Sequence, residues 1–287
     1  PEVSTEAGVA YLRRLAAGNP DEVTEELKAI HRRELEELRE QRLRQLESGE
    51  ISVWSLFEDY VLLGDSRAVG FWFYDYLPEE RVLAESGATI RRFQEHIPDI
   101  VALNPSTVFL CYGLNDVFVG IWSTPEEYVA EYAQIIGELR EQLPDVKIYV
   151  SSTLPAKDPA FDTSTDWYNI PLFNEAVKAM CQSIDNCWYV DNDQLAIDYA
   201  DMWEVDGIHL SYYLYPHWAT NLIMEVYSSG LDWDGEGGEA EGTAPEESGE
   251  AEDDGSGRTE EPGDGEADWS EESEDSASEW SDWYDGT

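Results

Sequence analysis

Basic residues are scarce in this chain: 17 lysines and arginines stand against 63 acids, a formal net charge of −46 over 287 residues. So acidic a surface repels phosphate, which excludes nucleic acid as a partner and favours neutral or cationic ones. Long apolar runs are missing too, and none approaches the roughly 20 residues that cross a bilayer as a helix. There are only four histidines and three cysteines. No zinc-type spacing occurs among them, and neither metal nor cofactor is expected. Cys111, inside the apolar run Val108–Tyr112, reads as a small buried hydrophobe. Cys181 and Cys187 flank a helix-to-strand loop and either pair, in an exported protein, or remain two thiols. The chain starts at Pro1 with no visible leader, which reads as a trimmed terminus. With the acidic tail and the two cysteines, this sets the expectation of a secreted or cell-surface protein.

What is present divides into three parts. Residues 1–50 are charged and helical in pattern. Leu27, Ile30, Leu35, Leu38, Leu43 and Leu46 form a stripe too irregular for a sustained coiled coil, so docking on the main domain is expected. Residues 51–231 alternate short apolar runs with helical patterns. Strands are expected at Tyr60–Gly64, Arg81–Ala84, Thr107–Tyr112, Lys147–Ser152 and Trp188–Val190. Helices are expected at Ala68–Tyr76, Thr89–Gln94, Pro125–Leu143, Pro171–Ser183 and Tyr212–Tyr227. That alternation implies βαβ units, a mostly parallel sheet and helices on both faces. Residues 232–287 hold 23 of the acids and a single base, Arg258. With few aliphatic residues they cannot offset the entropy of ordering, and disorder is expected. Trp269, Trp280, Trp283 and Tyr284 make this tail either a docking segment for an unknown partner or a solvating spacer.

Chemistry-bearing residues cluster where expected strands end. Ser66 lies in Gly64-Asp65-Ser66-Arg67 after the first strand, Gly87 after the second, and Asn115 in Gly113-Leu114-Asn115-Asp116 after the third. In open α/β sheets, ligands bind beyond the carboxyl ends of the strands. A nucleophilic serine needs a base, a group that orients the base, and donors for the oxyanion. His31 belongs to the charged helix, His96 to a helix end and His217 to the last helix. His209, three residues after Asp206, lets the carboxylate reach Nδ1 and leaves Nε2 for serine. Gly87 offers a backbone N–H and Asn115 an amide donor, though each alone is equally a turn residue. Gly64-Asp65-Ser66-Arg67-Ala68 nearly fits the G-x-S-x-G elbow as well. That fold takes Asp and His from separate loops, and here they are three residues apart.

The segments Gly64-Asp65-Ser66, Gly87, Gly113-Leu114-Asn115-Asp116 and Asp206-Gly207-Ile208-His209 together resemble the four blocks of the SGNH (GDSL-type) hydrolases, over about Asp59–Tyr227. The resemblance implies a flavodoxin-like three-layer αβα sandwich with a five-stranded parallel sheet and no metal. It implies Ser66 as nucleophile, His209 as base and Asp206 as its orienting group. The Ser66 and Gly87 N–H groups and the Asn115 side chain would form the oxyanion hole. Arg67 stands where the motif's name has leucine. The expected activity is ester cleavage, on a small-molecule or saccharide ester of a short acyl group. The alternatives are an O-acetyltransferase using the same residues and a surface binding protein that retains only the fold. Arg67, Trp122, Trp167 and Tyr212 are the expected substrate contacts, although the aromatic residues would equally serve as core.

Overall fold

The computed structural model of the protein describes residues 20–229. The acidic tail lies outside the described residues, and so does the disorder expected of it. Five strands form one sheet: β1 (Tyr60–Gly64), β2 (Val82–Ala84), β3 (Thr107–Cys111), β4 (Lys147–Ser151) and β5 (Cys187–Val190). They are the five apolar runs of the sequence, with no end displaced by more than one residue. All neighbours pair in parallel, in the order β2-β1-β3-β4-β5.

Helices cover both faces: α1 (Pro20–Glu47), α2 (Ser66–Phe73), α3 (Ile90–Leu103), α4 (Leu114–Phe118), α5 (Pro125–Arg140), α6 (Ala160–Thr163), α7 (Ile170–Gln182), α8 (Asp193–Asp198) and α9 (Tyr215–Ser228). Because side chains alternate along a strand, each strand feeds two cores. Val61, Leu63, Val108, Leu110, Ile148 and Val150 pack against Phe93 and Ile97 of α3, Ile135 and Leu139 of α5, and Val177 of α7. Leu62, Phe109, Tyr149 and Val190 face the other way, towards Phe71 of α2 and Trp218 and Leu222 of α9. Leu46, in the last turn of α1, packs on this second core. No helix among the described residues is long and apolar enough to cross a membrane.

Helix ends depart from the sequence pattern where tertiary contacts dominate. α3 runs past Gln94 to Leu103 with Pro98 inside it. A proline there removes one helical hydrogen bond, but buried Phe93, Ile97 and Ile100 hold the helix to the sheet. His96 therefore lies within a helix, bonded to Asp99 (3.0 Å) and Glu85 (3.2 Å), and not at its end. α9 begins at Tyr215, after a short 3-10 turn over Tyr212–Leu214. Where the chain enters the sheet, Asp59, Asn104 and Asn186 adopt positive φ (38°, 46° and 49°). These residue types tolerate that conformation best after glycine. The Asp59 carboxylate also accepts the Ser106 N–H at 2.9 Å.

Candidate active site

The strand order places the topological switch between β1 and β3, where neighbouring connections leave in opposite directions and open a crevice. Register aligns the exits: Gly64 pairs with both Ala84 and Cys111. Ser66, Gly87 and Asn115 follow these three residues by two, three and four positions, so the sheet delivers them to one edge. Ser66 is the first residue of α2 and is buried. Asp65 caps that helix by accepting the Arg67 N–H at 3.0 Å, while its own N–H donates to Cys111 O at 3.3 Å. The start of a helix concentrates free N–H groups and partial positive charge at Ser66, which suits a developing oxyanion. Burial raises the Asp65 carboxyl above its ordinary range, opposed by the Arg67 charge and by the Arg67 and Leu114 N–H groups.

Two reciprocal bonds join the Gly87 turn to the Asn115 turn. Asn115 donates one amide hydrogen to Ala88 O at 3.0 Å, and the Ile90 N–H donates to Asp116 Oδ1 at 2.9 Å. An amide nitrogen carries two hydrogens, so the bond to Ala88 orients Asn115 without exhausting it. Gly87 has φ of 73°, a conformation that suits glycine. Asp116 is buried, and its Oδ2 has no hydrogen-bond partner among the described residues. Burial pushes its carboxyl up to about 7, against the pull of the Ile90 N–H. The sequence pattern marked Asn115 but assigned nothing to Asp116; an acid directly after the donor and before a buried valine was the available signal.

Asp206 and His209 lie in a loop outside regular structure, pinned by an isolated antiparallel bridge between Trp203 and Leu210. His209 Nδ1 lies 2.5 Å from Asp206 Oδ2, and Asp206 Oδ1 accepts the N–H groups of Ile208 (2.8 Å) and His209 (2.9 Å). Burial alone would raise the Asp206 carboxyl. The bonds from the His209 ring and from those two N–H groups outweigh it and bring the group down to about 2. Gly207 between them has φ of 71°, and a β-carbon there would collide with the Lys157 carbonyl. The Gly207 carbonyl in turn accepts the Lys157 N–H at 2.8 Å.

Of the four side chains expected to touch substrate, three point into the fold. Trp122 is buried, donating to Glu131 at 2.7 Å and packing edge-on against Tyr128. Trp167 is buried, donating to Leu114 O at 3.1 Å with Phe118 stacked over it. Arg67 is 3 % exposed, and all three of its guanidinium nitrogens donate to backbone carbonyls: Nε to Ile208 (2.7 Å), one terminal nitrogen to Leu154, the other to Pro155 (3.2 Å). All three side chains are buried, with their polar atoms engaged by the fold. Tyr212 is exposed. It stacks on Tyr76 at 5.0 Å, which stacks on Trp54 at 4.4 Å, with exposed Tyr213 beside it. The three cysteines are buried free thiols, Cys187 being hydrogen-bonded to Cys181.

The profile of the family described as GDSL-like Lipase/Acylhydrolase matches residues 55–215. Similar solved structures include a GDSL-like lipase from Bacteroides thetaiotaomicron, 18 % identical over 59 % of this chain and 87 % of that one, with a TM-score of 0.47. A lipase/acylhydrolase from Enterococcus faecalis is 16 % identical over 60 % of this chain and 97 % of its own, with a TM-score of 0.45. A carbohydrate esterase family 3 protein from Talaromyces cellulolyticus is 18 % identical over the same shares, also with a TM-score of 0.45. No curated protein matches.

Proposed function

The chain belongs to the GDSL-like lipase/acylhydrolase family and is an ester hydrolase; from that premise we propose that it is a serine esterase acting through Ser66, His209 and Asp206 on a short acyl ester of an uncharged saccharide. The reading rests chiefly on the Asp206–His209 pair. Nδ1 is occupied by a carboxylate at 2.5 Å, which selects the tautomer whose Nε2 accepts a proton. His209 takes the Ser66 hydroxyl proton as Oγ attacks the ester carbonyl. The oxyanion develops against the N–H groups of Ser66 and Gly87 and the second amide hydrogen of Asn115. His209 then protonates the departing alcohol, and water, activated by the same imidazole, releases the acid and restores Ser66. A depressed Asp206 carboxyl stays ionised throughout and supports the imidazolium that forms.

Two observations support the substrate class. The exposed aromatic faces of Tyr212 and Tyr213 offer stacking without charge, and the acidic chain disfavours anionic polymers. A fluorophosphonate probe should label Ser66 in the wild type. Ser66→Ala should neither label nor hydrolyse p-nitrophenyl acetate, and turnover by that variant at the wild-type rate would refute the reading. On acetylated oligosaccharides, release of acetate is the expected product.

A further inference from the structure

We propose that Arg67 is a positioning residue that couples the general base to the nucleophile; the inference rests on the serine esterase reading above. A buried guanidinium is costly unless its donors are matched. Here they are matched by main-chain carbonyls from two loops, 87 and 141 residues away in sequence. One of these carbonyls belongs to Ile208. The peptide unit linking Ile208 to His209 is therefore gripped at both ends: its carbonyl accepts from Arg67 Nε at 2.7 Å, and its N–H donates to Asp206 at 2.9 Å. Asp206 also holds the ring at Nδ1. The Ile208–His209 peptide plane and the ring direction of His209 are thus held by two side chains, of which only Asp206 belongs to its own loop, while the His209 carbonyl accepts the Glu204 N–H at 2.9 Å.

The other end of Arg67 is fastened to the nucleophile. Arg67 follows Ser66 in α2, its N–H is held by Asp65 at 3.0 Å, and its carbonyl accepts from the buried Tyr215 hydroxyl at 2.8 Å. One residue thereby ties the Ser66 main chain directly to the His209 main chain. The two remaining guanidinium bonds, to Leu154 and Pro155, anchor the neighbouring loop, which itself holds Gly207 through Lys157. What matters is the planar fork of donors, not the charge alone, so lysine is no equivalent. Displacing a catalytic group by about 1 Å costs about 10²-fold in rate.

The test is turnover per active site, counted by fluorophosphonate titration so that unfolded molecules drop out. Arg67→Ala should lose about 10²-fold in kcat with KM unchanged, and should flatten the pH dependence of kcat/KM that His209 imposes. Added guanidinium, filling the vacated space, should restore part of kcat in Arg67→Ala but not in Ser66→Ala. Arg67→Lys, which keeps the charge and the folded state if the alanine variant proves unstable, should also lose kcat and should not respond to guanidinium. A purely structural role would lower the titrated fraction and leave kcat per site and the pH profile intact, and that result overturns the proposal. So does Arg67→Lys at the wild-type kcat, or a rise in KM without loss of kcat, which would return Arg67 to the substrate. If wild-type Ser66 fails to label, the esterase reading falls and this proposal with it. Labelled wild type with unaltered Arg67 variants overturns this proposal alone.

Discussion

On the Ser66 side of the site, the main-chain hydrogen bonds of β1, β2 and β3 carry Ser66, Gly87 and Asn115 to a common edge. On the His209 side, a loop outside regular structure is held by the isolated Trp203–Leu210 bridge, by main-chain bonds from Lys157 to the Gly207 carbonyl (2.8 Å) and from Glu204 to the His209 carbonyl (2.9 Å), and by the side chains of Arg67 and Asp206. A strand ladder repeats the same main-chain bond along its length, so the loss of one side chain leaves it in place. The bonds of the loop do not repeat in this way, and the bond to His209 Nδ1 comes from a single side chain, Asp206. Substitutions of equal size should therefore disturb the proposed base, His209, more than the proposed nucleophile, Ser66, and should affect turnover more than global stability.

The sharpest way to break this contrast is Asp206→Ala, which removes three hydrogen bonds from the loop at once. Turnover is expected to fall on the order of 10⁴-fold, measured as kcat on p-nitrophenyl acetate. Asn115→Ala acts on the sheet-borne side and leaves the ladder intact. Its expected loss is about 10²–10³-fold, the effect of one oxyanion donor. A larger loss for Asn115→Ala than for Asp206→Ala would reverse the ranking.

Asp116 supplies the smallest and most selective test. Its folded carboxyl lies at about 7, above the ordinary value of 3.8. A raised carboxyl favours the folded state below the unfolded pKa, and that contribution is lost as pH rises through the folded value. The wild type should therefore weaken between about pH 4 and pH 7 relative to Asp116→Asn, by a few kcal/mol. Urea unfolding of both proteins at pH 5 and pH 8 reads the difference. A constant gap between them would show that burial of Asp116 is not a source of pH sensitivity.

The same contrast explains what could be read in advance. Sheet strands announce themselves as short runs of Val, Leu, Ile and Phe, so all five strands, and with them the places of Ser66, Gly87 and Asn115, were legible. Asp206 and His209 were legible because their contact is local, three residues apart. The burial of Arg67, Trp122 and Trp167 was not. Residue identity does not encode exposure, and the groups that bury Arg67 arrive from Leu154, Pro155 and Ile208, far along the chain. Helix α3 was cut short because Pro98 argues locally for an end, whereas Ile97 and Ile100 argue for continuation only once the sheet is present. α4 is too short to register as a period.

The positive-φ residues Asp59, Asn104 and Asn186 stand just before β1, β3 and β5, on the edge opposite the chemistry. Each already carries a side chain in a tight turn, so that edge is furnished with exposed polar groups and is unencumbered by any catalytic duty. It is a natural handle. A tether attached near Asn104 or Asn186 would present every molecule to a surface in one orientation, mouth outward, and would turn the polarity of a parallel sheet into a means of immobilising the enzyme with its crevice open to solution.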